Sequence, residues 1–177
     1  MDQAGEPDLR LHCLRHLRGG LPAGDQHHRA AEGNRENTIR KDGVYLTDRQ
    51  LIEAAMAARK NAYAPYSDFA VGAALLTEDG KVYSGSNVEC VNYPSGCCAE
   101  RVALYTAVAA GERKFKTIAV TGWKRDEAGK PCMPCGMCRQ ALYEFNTELR
   151  VITGSPDDIK VFILRDIFPY GFGGYGL

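Results

Sequence analysis

The spacing of apolar and polar positions predicts both helices and strands in the first half of the chain. Apolar residues recur at helical spacing after a capping-box segment, Thr-Asp-Arg-Gln at 47–50, so we expect a helix that begins there and ends by Pro65. Alternation over Phe69–Thr77 predicts a strand, and the Asp79-Gly80 turn signal leads into a second strand over residues 81–87. These elements form a predicted helix followed by a β-hairpin.

The second half of the chain continues to alternate helices and strands. The predicted elements are a helix over 98–110, a strand over 117–121, a polar loop over 124–130, a helix over 139–145, and strands over 149–153 and 160–164. The resulting order, α-β-β-α-β-α-β-β, predicts an α/β fold with a mixed five-stranded sheet and helices on both faces, a three-layer α/β/α arrangement.

Residues 1–44 differ from the rest in being polar, charged and interrupted by glycine without a sustained apolar period. We expect them to form a disordered extension, and residues 45–177 to form one domain. All four histidines of the chain fall within residues 1–28. A metal site in the predicted domain must therefore use thiolates and carboxylates.

Composition and charge exclude several classes of protein. The 22 basic and 22 acidic side chains cancel, which argues against a dedicated nucleic-acid-binding protein. No apolar run approaches about 18 residues, so we expect no membrane partner. The first residues lack the basic and apolar regions of a signal peptide, and we expect a cytoplasmic protein.

Seven cysteines in such a chain indicate metal binding or catalysis rather than disulfides. Cys135 and Cys138 form a C-x-x-C pair that leads into a predicted helix, and Cys98 stands at the start of another, where the helix dipole favours thiolates. Three ligands on one zinc ion leave a position open, as in catalytic sites, and Glu100 lies two residues from Cys98, close enough to move a proton.

Other interpretations of these cysteines stay open at this point. Cys132-x-x-Cys135 is a competing pair, and Cys132 as a fourth ligand would give a purely structural zinc site. Cys90 and Cys97 are interpreted as small buried apolar residues. Arg101 and Arg139 flank the ligands in sequence and are candidates for balancing the charge of three thiolates on Zn²⁺.

The chain from Leu46 to Gly173 resembles the homotetrameric zinc-dependent cytidine deaminases. The resemblance is carried by Cys98-Ala99-Glu100, by Pro-Cys-x-x-Cys-Arg-Gln at 134–140, and by segments at 66–73 and 85–89. It implies the fold of that family, one zinc ion per subunit, and hydrolytic deamination of cytidine and 2′-deoxycytidine to the uridine nucleosides in pyrimidine salvage.

The same resemblance implies roles for individual residues. Phe69 would pack beside the pyrimidine, while Asn87 and Glu89 would hydrogen-bond the ribose. Tyr93 would lie near the site, and the Ala99 backbone would contact the base. Phe172 would cover the base in a neighbouring subunit's site, so that a homotetramer shares its active sites.

Two alternative functions remain. One is a related zinc deaminase that acts on blasticidin S or on modified or N4-substituted cytidines. The other is a non-catalytic module stabilised by zinc, in which Glu100 would serve no purpose. An assay on several substrates would separate them.

Overall fold

The computed structural model describes residues 38–39, 45–124 and 131–173. Its elements in chain order are β1 (Thr38–Ile39), β2 (Tyr45–Leu46), α1 (Asp48–Arg59), β3 (Phe69–Thr77), β4 (Val82–Ser86), α2 (Ala99–Ala109), β5 (Phe115–Lys124), α3 (Gly136–Tyr143), β6 (Arg150–Ser155), β7 (Asp158–Ile163) and α4 (Leu164–Ile167).

The central sheet is mixed, as the sequence predicts. Its five strands stand in the order β4-β3-β5-β6-β7, with β5 and β6 parallel and the other pairs antiparallel. The expectation of a mixed five-stranded sheet with flanking helices is confirmed.

Alternate residues of the strands face two separate cores. Leu75 of β3 and Ile118 of β5 pack with Leu104 of α2, together with Leu142 of α3. On the opposite face, Leu76 and its neighbours in the sheet pack against α1. The side chains alternate because successive residues of a strand point to opposite faces. The sheet therefore lies between α1 on one side and α2 and α3 on the other.

Two glycines allow helices to approach this sheet closely. A Cβ at Gly72 would lie 2.0 Å from the Ala55 carbonyl oxygen of α1, and one at Gly85 would lie 2.3 Å from the Ala99 carbonyl oxygen of α2. No side chain fits at such distances. Gly85 therefore determines how closely the start of α2 approaches β4.

Several predicted boundaries differ from the structure. The capping box forms, because the Thr47 side chain accepts from the Gln50 N–H and the Gln50 side chain accepts from the Thr47 N–H. However, α1 ends at Arg59 rather than near Pro65, and the chain then pairs Tyr63 with the segment after β4 through Tyr63 N–H to the Asn87 carbonyl at 2.9 Å. This tertiary pairing ends the helical pattern early.

Other differences lie at the ends of elements. Helix α3 begins at Gly136, three residues before the prediction, β5 is longer than predicted, and α4 was not predicted. Residues 38–39 pair with β2, although they belong to the segment expected to lack structure. The rest of the predicted extension, residues 1–37 and 40–44, and the predicted loop from residue 125 to 130 lie outside the described residues.

Across the described ranges, every helix is too short or too polar to cross a lipid bilayer.

Candidate active site

Three cysteine thiols meet where α2 and α3 begin. Cys98 is the residue that caps α2, Cys135 caps α3, and Cys138 lies in the first turn of α3. Their sulfur atoms all lie within 4.8 Å of one another, and the Cys98 and Cys135 sulfurs are 3.8 Å apart. Tetrahedral zinc with Zn–S bonds of about 2.3 Å holds its sulfur ligands about 3.8 Å apart. The three thiols therefore fit zinc.

The local backbone explains why these thiols are free to bind a metal. Cys98 and Cys135 adopt extended backbone angles at their helix starts, and neither side chain accepts a capping hydrogen bond. The N-terminal turn of each helix adds partial positive charge, which favours thiolates. The contact with the Cys138 thiol, assisted by Arg101, lowers the pKa of Cys98, which favours its thiolate form.

Cys132 does not join this group of sulfur ligands within the described part of the chain. Its backbone is held to Thr153, whose hydroxyl accepts the Cys132 N–H at 2.8 Å and donates to the Cys132 carbonyl at 3.1 Å. Burial, together with the charges of Glu100 and Cys98, raises the pKa of Cys132 to about 12. Because only Cys98, Cys135 and Cys138 converge among the described residues, the geometry favours three thiolates over four.

Glu100 is the buried acid of the site. It lies in the first turn of α2 and is only 3% exposed. Burial, together with the negative charge of Cys98, raises the pKa of Glu100 to about 7. A carboxyl group with such a pKa can take up and release a proton near neutral pH.

A cleft of about 510 Å³ opens beside Cys98. Asn87, Glu89 and Tyr93 line it, as does Arg101. It therefore joins the thiol cluster to three of the residues predicted to bind a nucleoside. Residues of this wall that the sequence analysis did not place in the site are Val88, Cys90, Pro94, Gly96, Cys97 and Met137.

Cys90 and Cys97 differ from their predicted environment. Both are half-buried and line the cleft, rather than being fully enclosed apolar residues. Cys97 exchanges two backbone hydrogen bonds of 2.9 Å with Val88, and this bridge fixes the segment before α2. Their role here is to form a wall of the cleft beside the metal ligands.

Asn87 is already engaged by the start of β3, and Glu89 by the turn before it. The Asn87 side chain accepts from the Val71 N–H at 2.7 Å and donates to the Phe69 carbonyl at 2.9 Å. The Glu89 carboxylate accepts from the Tyr66 and Ser67 N–H groups. Their predicted contacts with ribose stay predictions, and their observed contacts position the segment that carries Phe69.

Comparison with known proteins decides the family of this chain. Residues 46–154 match the profile described as "Cytidine and deoxycytidylate deaminase zinc-binding region". The chain belongs to the cytidine and deoxycytidylate deaminase family. The resemblance to zinc-dependent cytidine deaminases is therefore confirmed, while the homotetramer that it implies stays a prediction. Zinc is the metal that the family and the thiol cluster both indicate.

Individual relatives agree with this membership. The chain is 44% identical over 125 residues to the cytidine deaminase of Sporosarcina psychrophila, covering 70% of this chain and 89% of that protein. It is 41% identical over 128 residues to the cytidine deaminase of Halalkalibacterium halodurans, covering 71% of this chain and 94% of that protein. The crystal structure of cytidine deaminase from Burkholderia pseudomallei is similar with a TM-score of 0.66 and 47% identity, over 72% of this chain and 100% of that one.

The two arginines beside the deaminase motifs have different surroundings. Arg101 lies close enough to Cys98 to help lower the pKa of its thiol, and its buried Nε has no hydrogen-bond partner among the described residues. Arg139 donates to the Pro134 carbonyl at 2.7 Å and to the Ile167 carbonyl at 2.8 Å. Arg139 thus ties the cysteine loop to α4, and its predicted part in balancing charge stays a prediction.

Two predicted substrate residues lie off the cleft wall. Phe69 is half-buried, and its ring lies near Gly122, since a Cβ built there would be 3.1 Å from the ring and 2.9 Å from the Cys132 sulfur. Ala99 is fully buried behind Cys98. Their predicted contacts with the base therefore stay predictions.

The C-terminal segment is held by a residue that the sequence analysis left without a role. Gln140 donates from its side-chain amide to the Phe172 carbonyl and accepts the Phe172 N–H at 3.0 Å. The Phe172 side chain is 86% exposed. Gln140 follows Arg139 directly in the quoted motif, which was the available signal for its importance.

Proposed function

We propose that the chain catalyses hydrolytic deamination of cytidine and 2′-deoxycytidine to uridine and 2′-deoxyuridine, with release of ammonia. The observation that carries this proposal is a buried carboxyl, Glu100, directly beside three thiols that fit zinc, next to an open cleft. The cytidine deaminases to which the chain is similar support the choice of substrate.

Glu100 moves the protons in this reaction. Zinc, when held by Cys98, Cys135 and Cys138, supplies the positive charge that makes a water molecule acidic near neutral pH. Glu100 accepts a proton from the attacking water and delivers it to the ring N3 as the oxygen bonds to C4. It then helps to protonate the amino group, which leaves as ammonia. Its raised pKa suits both directions of transfer.

The nucleoside end of the cleft orients the substrate. Glu89 and Asn87 would hydrogen-bond the ribose, and Phe69 would pack beside the pyrimidine. Tyr93 stands edge-on to Tyr66 with ring centroids 6.1 Å apart, which gives this end an aromatic wall. The Ala99 backbone, at the start of α2, would contact the base.

The protein assembles as a homotetramer with shared active sites in this proposal. Large apolar side chains around the cleft are exposed, including Tyr93 at 76% and Met137 at 63%. Phe172 also projects into solvent from a segment whose backbone Gln140 holds. Exposed apolar surface of this kind commonly marks a protein contact. A second copy would cover it, and Phe172 would close the site of a neighbour.

Cytoplasmic pyrimidine salvage is the proposed setting, because both products are free nucleosides that a cell can reuse.

An assay on purified protein tests the function. Absorbance should show turnover of cytidine and 2′-deoxycytidine and much slower turnover of deoxycytidine monophosphate, because the Glu89 carboxylate repels a nearby phosphate. Blasticidin S and an N4-methylated cytidine should be tested in parallel. Turnover of blasticidin S without turnover of cytidine would overturn the proposal.

A further inference from the structure

One hydroxyl group links Glu89 and Phe69, two of the residues predicted to bind the nucleoside. Ser67 Oγ donates to Glu89 Oε1 at 2.5 Å and accepts the Phe69 N–H at 3.0 Å. Ser67 thus contacts Glu89, which is predicted to bind the ribose, and the backbone of Phe69, which is predicted to pack beside the base. Within the motif that carries the family resemblance, it is a residue to which no role was given.

The Glu89 carboxylate can accept one more hydrogen bond, at a position that its observed contacts define. Its Oε2 accepts from the Tyr66 N–H at 2.9 Å and the Ser67 N–H at 3.2 Å, and its Oε1 accepts from the Ser67 hydroxyl. An ionised carboxylate has about four acceptor positions on its two oxygens. Groups in the described part of the chain use three of them, so the remaining one is on Oε1, the oxygen that Ser67 holds.

The turn that carries Ser67 has little freedom to move. Asp68 has a φ of +55°, which is uncommon for a residue other than glycine, and its N–H donates to the Ala64 carbonyl at 3.1 Å. The Asn87 side chain holds the next residue, Phe69, through its carbonyl. The hydroxyl of Ser67 therefore presents a fixed direction to Glu89.

We propose that Ser67 is a positioning residue that fixes Glu89 Oε1 so that its remaining acceptor position receives a sugar hydroxyl of the nucleoside. This inference rests on the proposed function. The Ser67 hydroxyl is also the largest contribution that lowers the pKa of Glu89, which keeps the carboxylate in its accepting form. Because Ser67 is exposed, its loss should affect substrate binding more than stability.

The test compares two substrates in three variants of the full chain. Ser67→Ala should raise the KM for cytidine about tenfold, the effect expected from one hydrogen bond to a charged group. The KM for 2′,3′-dideoxycytidine should change less than about twofold, because that substrate lacks the hydroxyls that Glu89 would bind. Zinc content, melting temperature and kcat should stay near wild-type values, and Ser67→Thr should restore the KM for cytidine.

Ser155→Ala is the matched control, since Ser155 also accepts a backbone N–H, that of Asp158 at 3.2 Å, in a distant turn. It should leave both KM values unchanged. An unchanged KM for cytidine in Ser67→Ala, an equal rise for both substrates, or no rescue by threonine would overturn the inference while wild-type turnover of cytidine still supports the proposed function. A zinc-loaded wild type that does not turn over cytidine would overturn both.

Discussion

The metal end and the nucleoside end of the cleft are built in different ways. Cys98, Glu100 and Cys138 lie at the starts of two helices that pack on the sheet, and Glu100 and Cys138 are buried. The proposed nucleoside end is lined by the segment that carries Asn87, Glu89 and Tyr93, and Tyr93 is largely exposed, as is Phe172 of the C-terminal segment. One chain therefore suffices to position the metal ligands and the acid, whereas the substrate side has an open surface.

Replacing the buried acid of the metal end should cause the largest loss of activity. Glu100→Gln keeps the size of the side chain but cannot transfer a proton, so we expect kcat to fall by at least about 10³-fold. Zinc content, measured by atomic absorption, should be unchanged because Glu100 is not among the three thiol ligands. More than a few per cent of wild-type turnover would contradict the proton-transfer role.

Two cysteine substitutions test which thiols make the metal end. Cys135→Ser should remove zinc and activity, because only three thiols converge among the described residues. Cys132→Ser is the matched control in the same loop and should retain one zinc per chain, since its sulfur lies outside the group of three that converges among the described residues. Loss of zinc from Cys132→Ser would indicate the four-thiolate site instead.

The free energy of unfolding should change with pH because Glu100 is buried. Burial raises the pKa of Glu100 from 4.5 to about 7, so the folded state holds this proton more tightly than the unfolded state. The stabilisation is complete below about pH 4.5 and is lost as the pH rises through 7, by roughly 3 kcal/mol.

Glutamine carries no charge at any of these pH values. In chelator-treated protein, Glu100→Gln should therefore be more stable than the parent at pH 8 by roughly 3 kcal/mol, and about equal to it at pH 4. Urea denaturation at the two pH values measures the difference. Equal stability of the two proteins at pH 8 would show that the carboxyl is not desolvated.

The smallest of these effects should come from truncating the exposed Phe172 side chain. Phe172→Ala should raise the KM for cytidine about tenfold, equivalent to about 1.4 kcal/mol of lost apolar burial, without changing zinc content. Tyr170→Ala is the control, because Tyr170 is fully exposed two residues earlier.

Light scattering should give four times the mass of one chain, and a fully active monomer would contradict shared active sites.

The metal end could be predicted from sequence because its signals are local. The C-x-x-C spacing, the cysteine before Ala99-Glu100 and the capping box at Thr47 each involve residues within a few positions of one another. Such patterns leave few structural alternatives. The predicted sheet was also found, since its strands show a clear two-residue period.

The nucleoside end depends on contacts between distant residues, which no local pattern reveals. The helical period after Thr47 gave no sign that Tyr63 would instead pair with Asn87. The Gln140 contact with Phe172 spans 32 positions, and the Ser67 contact with Glu89 spans 22. Family resemblance named residues at this end of the cleft, but their partners needed the folded structure.

Zinc binding depends on the close packing of α2 against Gly85 of β4. Any side chain at Gly85 would overlap the Ala99 carbonyl, which lies between the ligand Cys98 and the acid Glu100. The helix would have to retreat from the sheet, and one ligand would move away from the other two. An inherited or engineered substitution at this buried strand position would thus lower the affinity for zinc, even though glycine has no side chain that could bind a metal.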